Sequence, residues 1–325
     1  VGVHIRTFTW DDTADVVALA NASLLADGEA PHITASYLRQ RYSVATAQLE
    51  NSIVAVTEAD EVVGANMTLF GKAQGKGLAT LYIHPDWRTN NLGQRVVIAG
   101  DDRLLKHGAR VCPPDQPLYL LRSVDARQHY QRDLLQTLDY SVERHFYGMA
   151  LDLPDSIDIP PLAEGLSLRP FAPDDDAQAR ALHATYDSAF RDAWGQRQGT
   201  TFDSWKRTFM SADTDYSLWH TVWDDDADRL VAFTINLVDP AGIQQGKVRS
   251  LGVHPDYRQR GIAMTLLQHS FAQFITRDLV RAVLNVDGSA DTNPLRLYQR
   301  AGMHQESHDL ILRRILRGLA EDIDD

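Results

Sequence analysis

Leu251-Gly252-Val253-His254-Pro255-Asp256-Tyr257-Arg258-Gln259-Arg260-Gly261-Ile262-Ala263 is the stretch on which the fold of this chain turns. An apolar strand ends at Val253 and a Pro-containing turn follows. A helix then begins near Ile262, with Leu266, Leu267, Phe271, Phe274 and Ile275 on its apolar face. A helix N-terminus offers unpaired backbone N–H groups and partial positive charge, both suited to a phosphate. Gly261 lets the backbone approach a ligand, Ala263 keeps the first turn slim, and Arg258 and Arg260 add full charge. On this segment alone, a pyrophosphate cradle and a plain strand-to-helix turn with solvated arginines stand level.

The segment has a twin. Leu81-Tyr82-Ile83-His84-Pro85-Asp86-Trp87-Arg88 matches residues 251–258 at an offset of 170. Upstream, His4-Ile5-Arg6-Thr7-Phe8 with Asp11-Asp12 echoes Ser167-Leu168-Arg169-Pro170-Phe171 with Asp174-Asp175. Val62-Val63-Gly64-Ala65 likewise echoes Leu230-Val231-Ala232-Phe233. Matches in the same order describe a duplicated domain, with halves 1–155 and 166–325 meeting at a polar stretch that holds Pro154, Pro160 and Pro161. Each half predicts a strand, an Asp-led helix, a central strand pair, the strand before the His-Pro-Asp turn, a crossover helix, another strand, a short helix and a closing strand. That order is an α/β pattern.

Composition bounds the function. Lys+Arg number 32 against 44 Asp+Glu, a formal charge of −12, which argues against a nucleic-acid partner because phosphate neutralisation needs clustered cations. The balance leaves room for a local basic pocket and suits a cationic acceptor. No apolar run reaches the roughly 18–20 residues of a membrane span, and Val1-Gly2-Val3-His4-Ile5-Arg6 has no signal-peptide pattern, so no membrane partner and a cytoplasmic location are expected. Cys112, the single cysteine, reads as an inert thiol. No metal site is expected. The run Asp224-Asp225-Asp226-Ala227-Asp228 reads as a hairpin tip, and His304 and His308 fall on a strand, about 13 Å apart at that spacing. No Gly-x-Ser-x-Gly or Walker-type loop supports a hydrolase reading.

Residues 253–263 resemble the acetyl-CoA-binding motif of the GNAT acetyltransferase superfamily, Arg/Gln-x-x-Gly-x-Gly/Ala after a strand. Leu297-Tyr298-Gln299-Arg300-Ala301-Gly302-Met303 resembles the closing Leu-Tyr-x-x-x-Gly-Phe segment of that superfamily, and the duplicated layout is similar to its tandem-domain members. The resemblance implies an α+β mixed sheet in each of two acyl-CoA N-acyltransferase domains, with acetyl-CoA as cosubstrate and no metal. It places the pyrophosphate on the amides of Arg258, Gln259, Arg260, Gly261, Ile262 and Ala263. The pantetheine arm would lie along Leu251, Gly252 and Val253, where an N–H near Gly252 or Val253 polarises the thioester carbonyl. Tyr298 becomes the general acid for the departing thiolate, where residue pattern alone reads a core aromatic beside Leu295 and Leu297. Asn293, near Asp291 at the usual spacing, is a further cofactor contact. The acceptor is a primary amine on a small molecule.

The sequence also departs from the pattern. Many relatives place a glutamate base on the strand before the turn, but here Lys247-Val248-Arg249-Ser250 puts Arg249 near that place. In the first half Asn91 stands where the turn wants glycine, and Leu135 aligns with Tyr298. Leucine cannot donate a proton, so the first half reads as a non-catalytic copy. Trp194, Phe202, Trp205 and Phe209 form an aromatic cluster in the variable region, open to acceptor binding or ordinary packing. A second reading of the chain is a CoA-binding regulatory or interaction module without catalysis.

Overall fold

The computed structural model describes residues 2–43, 49–191, 193–194, 201–211, 213–239, 244–290 and 294–318. In the first half, β1 (Val3–Thr7) leads through α1 (Thr13–Ala26) and α2 (Ala35–Tyr42) to β2 (Ile53–Thr57), β3 (Val62–Gly71) and β4 (Lys76–Ile83). The crossover helix α3 (Leu92–Val111) then feeds β5 (Leu118–Asp125), α4 (His129–Gln136) and β6 (Ser141–Asp152). β1 to β4 pair antiparallel in chain order, and β4 pairs parallel with β5. β2 is apolar from Ile53 to Val56 because helices cover both of its faces. Val54 and Val56 pack with Val16, Leu19, Leu38 and Tyr42 of α1 and α2, while Ile53 and Ala55 pack with Val96, Val97 and Leu104 of α3.

The second half repeats the order with β7 (Leu166–Pro170), α5 (Asp176–Ala189), α6 (Phe202–Phe209), β8 (His220–Asp224), β9 (Arg229–Val238) and β10 (Gln245–Val253). It continues with α7 (Ile262–Ile275), β11 (Arg281–Asp287), α8 (Leu295–Arg300) and β12 (His304–Arg317). β7 to β10 are antiparallel neighbours, and β10 and β11 run parallel. The Asp-led helix starts differ between the halves. Asp175 caps α5 by accepting the N–H of Ala177 and Gln178, whereas Asp12 caps nothing in α1 and pairs with Arg6 at 2.6 Å.

Chain contacts divide the molecule into two units that cut across the expected halves 1–155 and 166–325. One unit runs to His145 and takes up the chain again from Asp309; the other is Phe146–His308. Residues 309–317 of β12 pair with β5, and residues 146–152 of β6 pair with β11. The closing strands are therefore exchanged. An alternating strand pattern states which residues share a face but not which neighbour they pair with, so chain order alone assigned each strand to its own half.

Candidate functional site

β10 and β11 pair over three positions only, Gln245↔Arg281, Gly246↔Ala282 and Lys247↔Val283. Beyond them β10 follows β9 as far as Val253↔Ala232, and β11 follows β6 to Asp287↔Phe146. The two parallel strands thus splay into a wedge. A bulge interrupts β10 between Val248 and Ser250, inserting Arg249. It resets the alternation beyond it. His254 N–H donates to the Val231 carbonyl at 2.8 Å, so Gly252, two residues earlier and opposite Phe233, also turns its backbone toward β9. The N–H groups of Leu251 and Val253 then face the wedge, and the Val253 carbonyl accordingly accepts from Arg258 Nε at 3.3 Å. Gly252 is needed for another reason: a Cβ there would stand 2.5 Å from the Phe233 ring and 3.1 Å from Ala189 Cβ.

The turn after Val253 presents its backbone. Gln259 (φ 62°) and Gly261 (φ 79°) are left-handed, the conformation that lets successive N–H groups converge on an anion. Among the described residues, no acceptor takes the amides of residues 259–263, and no heavy atom lies within 4 Å of the place a Cβ on Gly261 would occupy. The arginines brace this loop. Arg258 Nη2 donates to the Ala189 carbonyl at 2.9 Å; Arg260 Nη2 donates to Asp256 O at 3.1 Å while its guanidinium lies 4.9 Å from the Tyr257 ring centroid. Tyr257 in turn donates to Asp224 Oδ2 at 2.7 Å. Unpartnered amides, open space and cationic flanks fit a pyrophosphate.

Tyr298 lies on α8 in the hydrophobic cluster that Leu251, Leu295 and Leu297 pack against. It is 9% exposed, and burial pushes its phenol up to about 12, so it holds its proton at neutral pH. Among the described residues nothing hydrogen-bonds its hydroxyl. Asn293 and Asp291 lie outside the described residues.

Arg249, where a base was sought, stacks its guanidinium 4.4 Å from the Phe209 ring centroid and donates from Nη2 to the Thr208 carbonyl at 3.1 Å. The aromatic cluster is real and larger than the sequence pattern suggested. Trp205 and Phe209 lie 5.5 Å apart, and Tyr186 joins Phe209 at 5.2 Å and Phe233 at 5.8 Å. Tyr186 and Phe233 were legible as apolar helix and strand positions, but not as neighbours of Phe209. Trp194 stands apart from this group, 6.2 Å from Phe146.

The first unit's copy of the turn is closed. Asn90 Oδ1 accepts the Leu92 N–H at 2.8 Å, and Asn91, at φ −80°, avoids the left-handed region altogether. A Cβ on Gly93 would overlap the Tyr130 hydroxyl and lie 2.7 Å from Leu134. Arg88 stacks over Tyr130 at 5.0 Å and pairs with Asp27 at 2.7 Å. Leu135 is fully buried, and β3 and β4 pair without a bulge. Elsewhere, His308 stacks on Tyr147 at 4.5 Å, Asp224 and Asp225 hold the β8–β9 hairpin tip through hydrogen bonds, and Cys112 is buried. Among the described residues no cluster of ligating side chains could hold a metal ion, and no helix is long and apolar enough to cross a membrane.

The sequence model of the acetyltransferase (GNAT) family matches residues 179–303. A mycothiol acetyltransferase of Salinispora tropica is 30% identical over 317 residues, 90% of this chain and 89% of that protein. Among solved structures, a GCN5-related N-acetyltransferase from Sphaerobacter thermophilus superposes with a TM-score of 0.81 at 24% identity, covering 97% of this chain and 96% of that one. A tandem GNAT protein from the clavulanic acid biosynthesis pathway superposes with a TM-score of 0.68 at 13% identity, over 98% and 100% of the two chains.

Proposed function

The chain belongs to the GNAT acetyltransferase family, and from that premise we propose that it moves the acetyl group of acetyl-CoA onto a primary amine of a small-molecule acceptor, in the unit that carries β10, α7 and α8. The observation that carries this reading is the row of unpartnered amides at residues 259–263, beside a strand that splays from its neighbour. The pyrophosphate of acetyl-CoA would rest on those amides. The N–H groups of Leu251 and Val253 would hold the arm that follows, Val253 being the donor nearer the turn. A donor aimed at the thioester oxygen stabilises the negative charge that builds there when an amine attacks. The amine adds to the carbonyl carbon to form the C–N bond, the tetrahedral intermediate collapses with cleavage of the C–S bond, and the departing thiolate takes the proton that Tyr298 keeps at neutral pH. Deprotonation of the amine runs through water in this reading, because β10 offers Arg249 in place of a carboxylate. The first unit acts as a non-catalytic partner in the chain.

The name of the Salinispora relative makes an acceptor of the mycothiol type one member of a test panel, beside polyamines, amino acids, aminoglycosides and cysteinyl sugars. Thiol release from acetyl-CoA across that panel tests the reading, and turnover on at least one amine is expected. Saturable acetyl-CoA binding with no turnover on any of them would favour a CoA-binding module instead.

A further inference from the structure

Two cations sit side by side on β10 with no acid to meet them. Lys247 and Arg249 make no ion pair among the described residues, in a protein where acidic side chains outnumber basic ones 44 to 32. The bulge decides where Arg249 goes. Gly246, three residues before Arg249, faces α7, since a Cβ there would meet the Phe274 ring. Strand alternation turns Lys247 to the opposite face, and the inserted Arg249 lies on that face too, against Thr208 and Phe209 of α6. The Gly261 turn leads into α7 on one face of β10, and the two cations project from the other. A second substrate that approaches the wedge from the α5–α6 side meets them.

Asp203 of α6, the helix against which Arg249 packs, makes no ion pair with either cation among the described residues, and the acids of α5 are already engaged. On α5, Asp176 holds Arg180 at 2.8 Å and Lys206 at 3.7 Å, and Asp187 lies 3.3 Å from His183. Arg249 spends one donor on the Thr208 carbonyl, and its remaining N–H groups have no acceptor among the described residues. Its plane is fixed by the Phe209 ring rather than free in solvent. Desolvation is the main influence on its charge, which lowers its pKa from the ordinary value without neutralising it. A planar guanidinium held in this way presents a fork that matches a carboxylate or phosphate.

We propose that the acceptor amine carries an oxyanion, a carboxylate or a phosphate, and that Arg249, with Lys247 beside it, binds that group on the α5–α6 side of β10. The proposal rests on the acetyl-transfer reading above and names its substrate class. It also accounts for a cation at the place of a base: the residue there recognises the acceptor instead of deprotonating it.

Matched probes test it: 4-aminobutyrate against its amide, and glucosamine 6-phosphate against glucosamine, each assayed by thiol release and by calorimetric binding to the CoA-saturated protein. The anionic member of at least one pair should be preferred about tenfold to a hundredfold, the usual worth of a charge-assisted contact. Which pair responds separates a carboxylate from a phosphate. Arg249→Gln should bring the two members of the responding pair together, and Arg249→Lys should restore part of the gap, which a merely structural role would not do. Equal use and equal binding within both pairs in the wild-type protein overturns the proposal, as does a preference that survives Arg249→Gln. If no amine is acetylated but the anionic probe binds in an Arg249-dependent way, the acetyl-transfer reading fails and the anion site stands.

Discussion

In the first unit the N–H of Leu92 is taken by Asn90, and Tyr130 lies on the opening turn of α3 with Arg88 stacked over it. In the second, Gly261 stands left-handed at the head of α7, and the amides of residues 259–263 face no acceptor among the described residues. Both turns begin from His-Pro-Asp and an arginine, and both arginines reach back to the first helix of their own copy, Arg88 to Ser23 of α1 and to Asp27 just past its end, and Arg258 to Ala189 at the end of α5. The bracing was kept and the cradle was not. What separates the copies is the few residues after the arginine, where one copy gives the Leu92 N–H an acceptor of its own and the other leaves the amides of residues 259–263 without one among the described residues.

The contrast can be broken first at Tyr298, the proposed acid. Tyr298→Phe should lower kcat by about a hundredfold or more, since a positioned proton donor contributes that much, while Leu135→Tyr in the first unit should add no activity. Thiol release on an identified acceptor measures both. Because the Tyr298 phenol is pushed up to about 12, the rate should show no falling limb below about pH 10 that belongs to this residue.

A second difference lies in the cores. β2 of the first unit opens with Ile53, and its counterpart β8 of the second opens with buried His220, whose Nδ1 has no partner among the described residues. Burial, then the neighbouring His269 and Arg277, lowers its pKa from 6.5 to about 4. The unfolded chain takes up a proton on His220 below about pH 6.5 and the folded one only near pH 4, so stability falls as pH drops through that window. The loss should approach about 3 kcal/mol. Denaturant midpoints followed from pH 7 to pH 4 should show it, and His220→Val should flatten the profile.

Smaller effects sharpen the comparison at the turns. Gly261→Ala places a side chain in a left-handed position at a cost of about 1–2 kcal/mol, so the free turn should relax out of that conformation and acetyl-CoA affinity should drop about tenfold. Calorimetry should find one acetyl-CoA bound per chain, and Asn91→Gly should not create a second site because Tyr130 and Leu134 still cover the helix end. Asn90→Ala should cost about 1 kcal/mol of stability through the lost hydrogen bond from the Leu92 N–H, read from the denaturation midpoint.

Much of this was legible in the chain. The duplication, the order of elements in each half and the glycine turn all follow from patterns a few residues long, and those patterns survive folding because local hydrogen bonding and side-chain periodicity create them. Asn91 was read as the residue standing where the turn wants glycine; in the fold it is its neighbour Asn90 whose side chain takes the Leu92 N–H. The wedge donor was placed near Gly252 or Val253, and the ladder turns Gly252 toward β9 and Val253 into the wedge. That distinction hangs on a one-residue bulge, and a bulge leaves no mark in composition or periodicity.

By itself, then, the sequence determined two copies of one α/β unit and the strand-turn-helix at Gly261, because each depends on contacts close along the chain. Only the tertiary structure decided that β12 pairs with β5 and β6 with β11, that Arg249 lies against Phe209, and that Tyr130 lies on the first turn. These contacts join residues far apart in the chain. Their partners are chosen by register, bulge parity and packing, which act only once the strands have met.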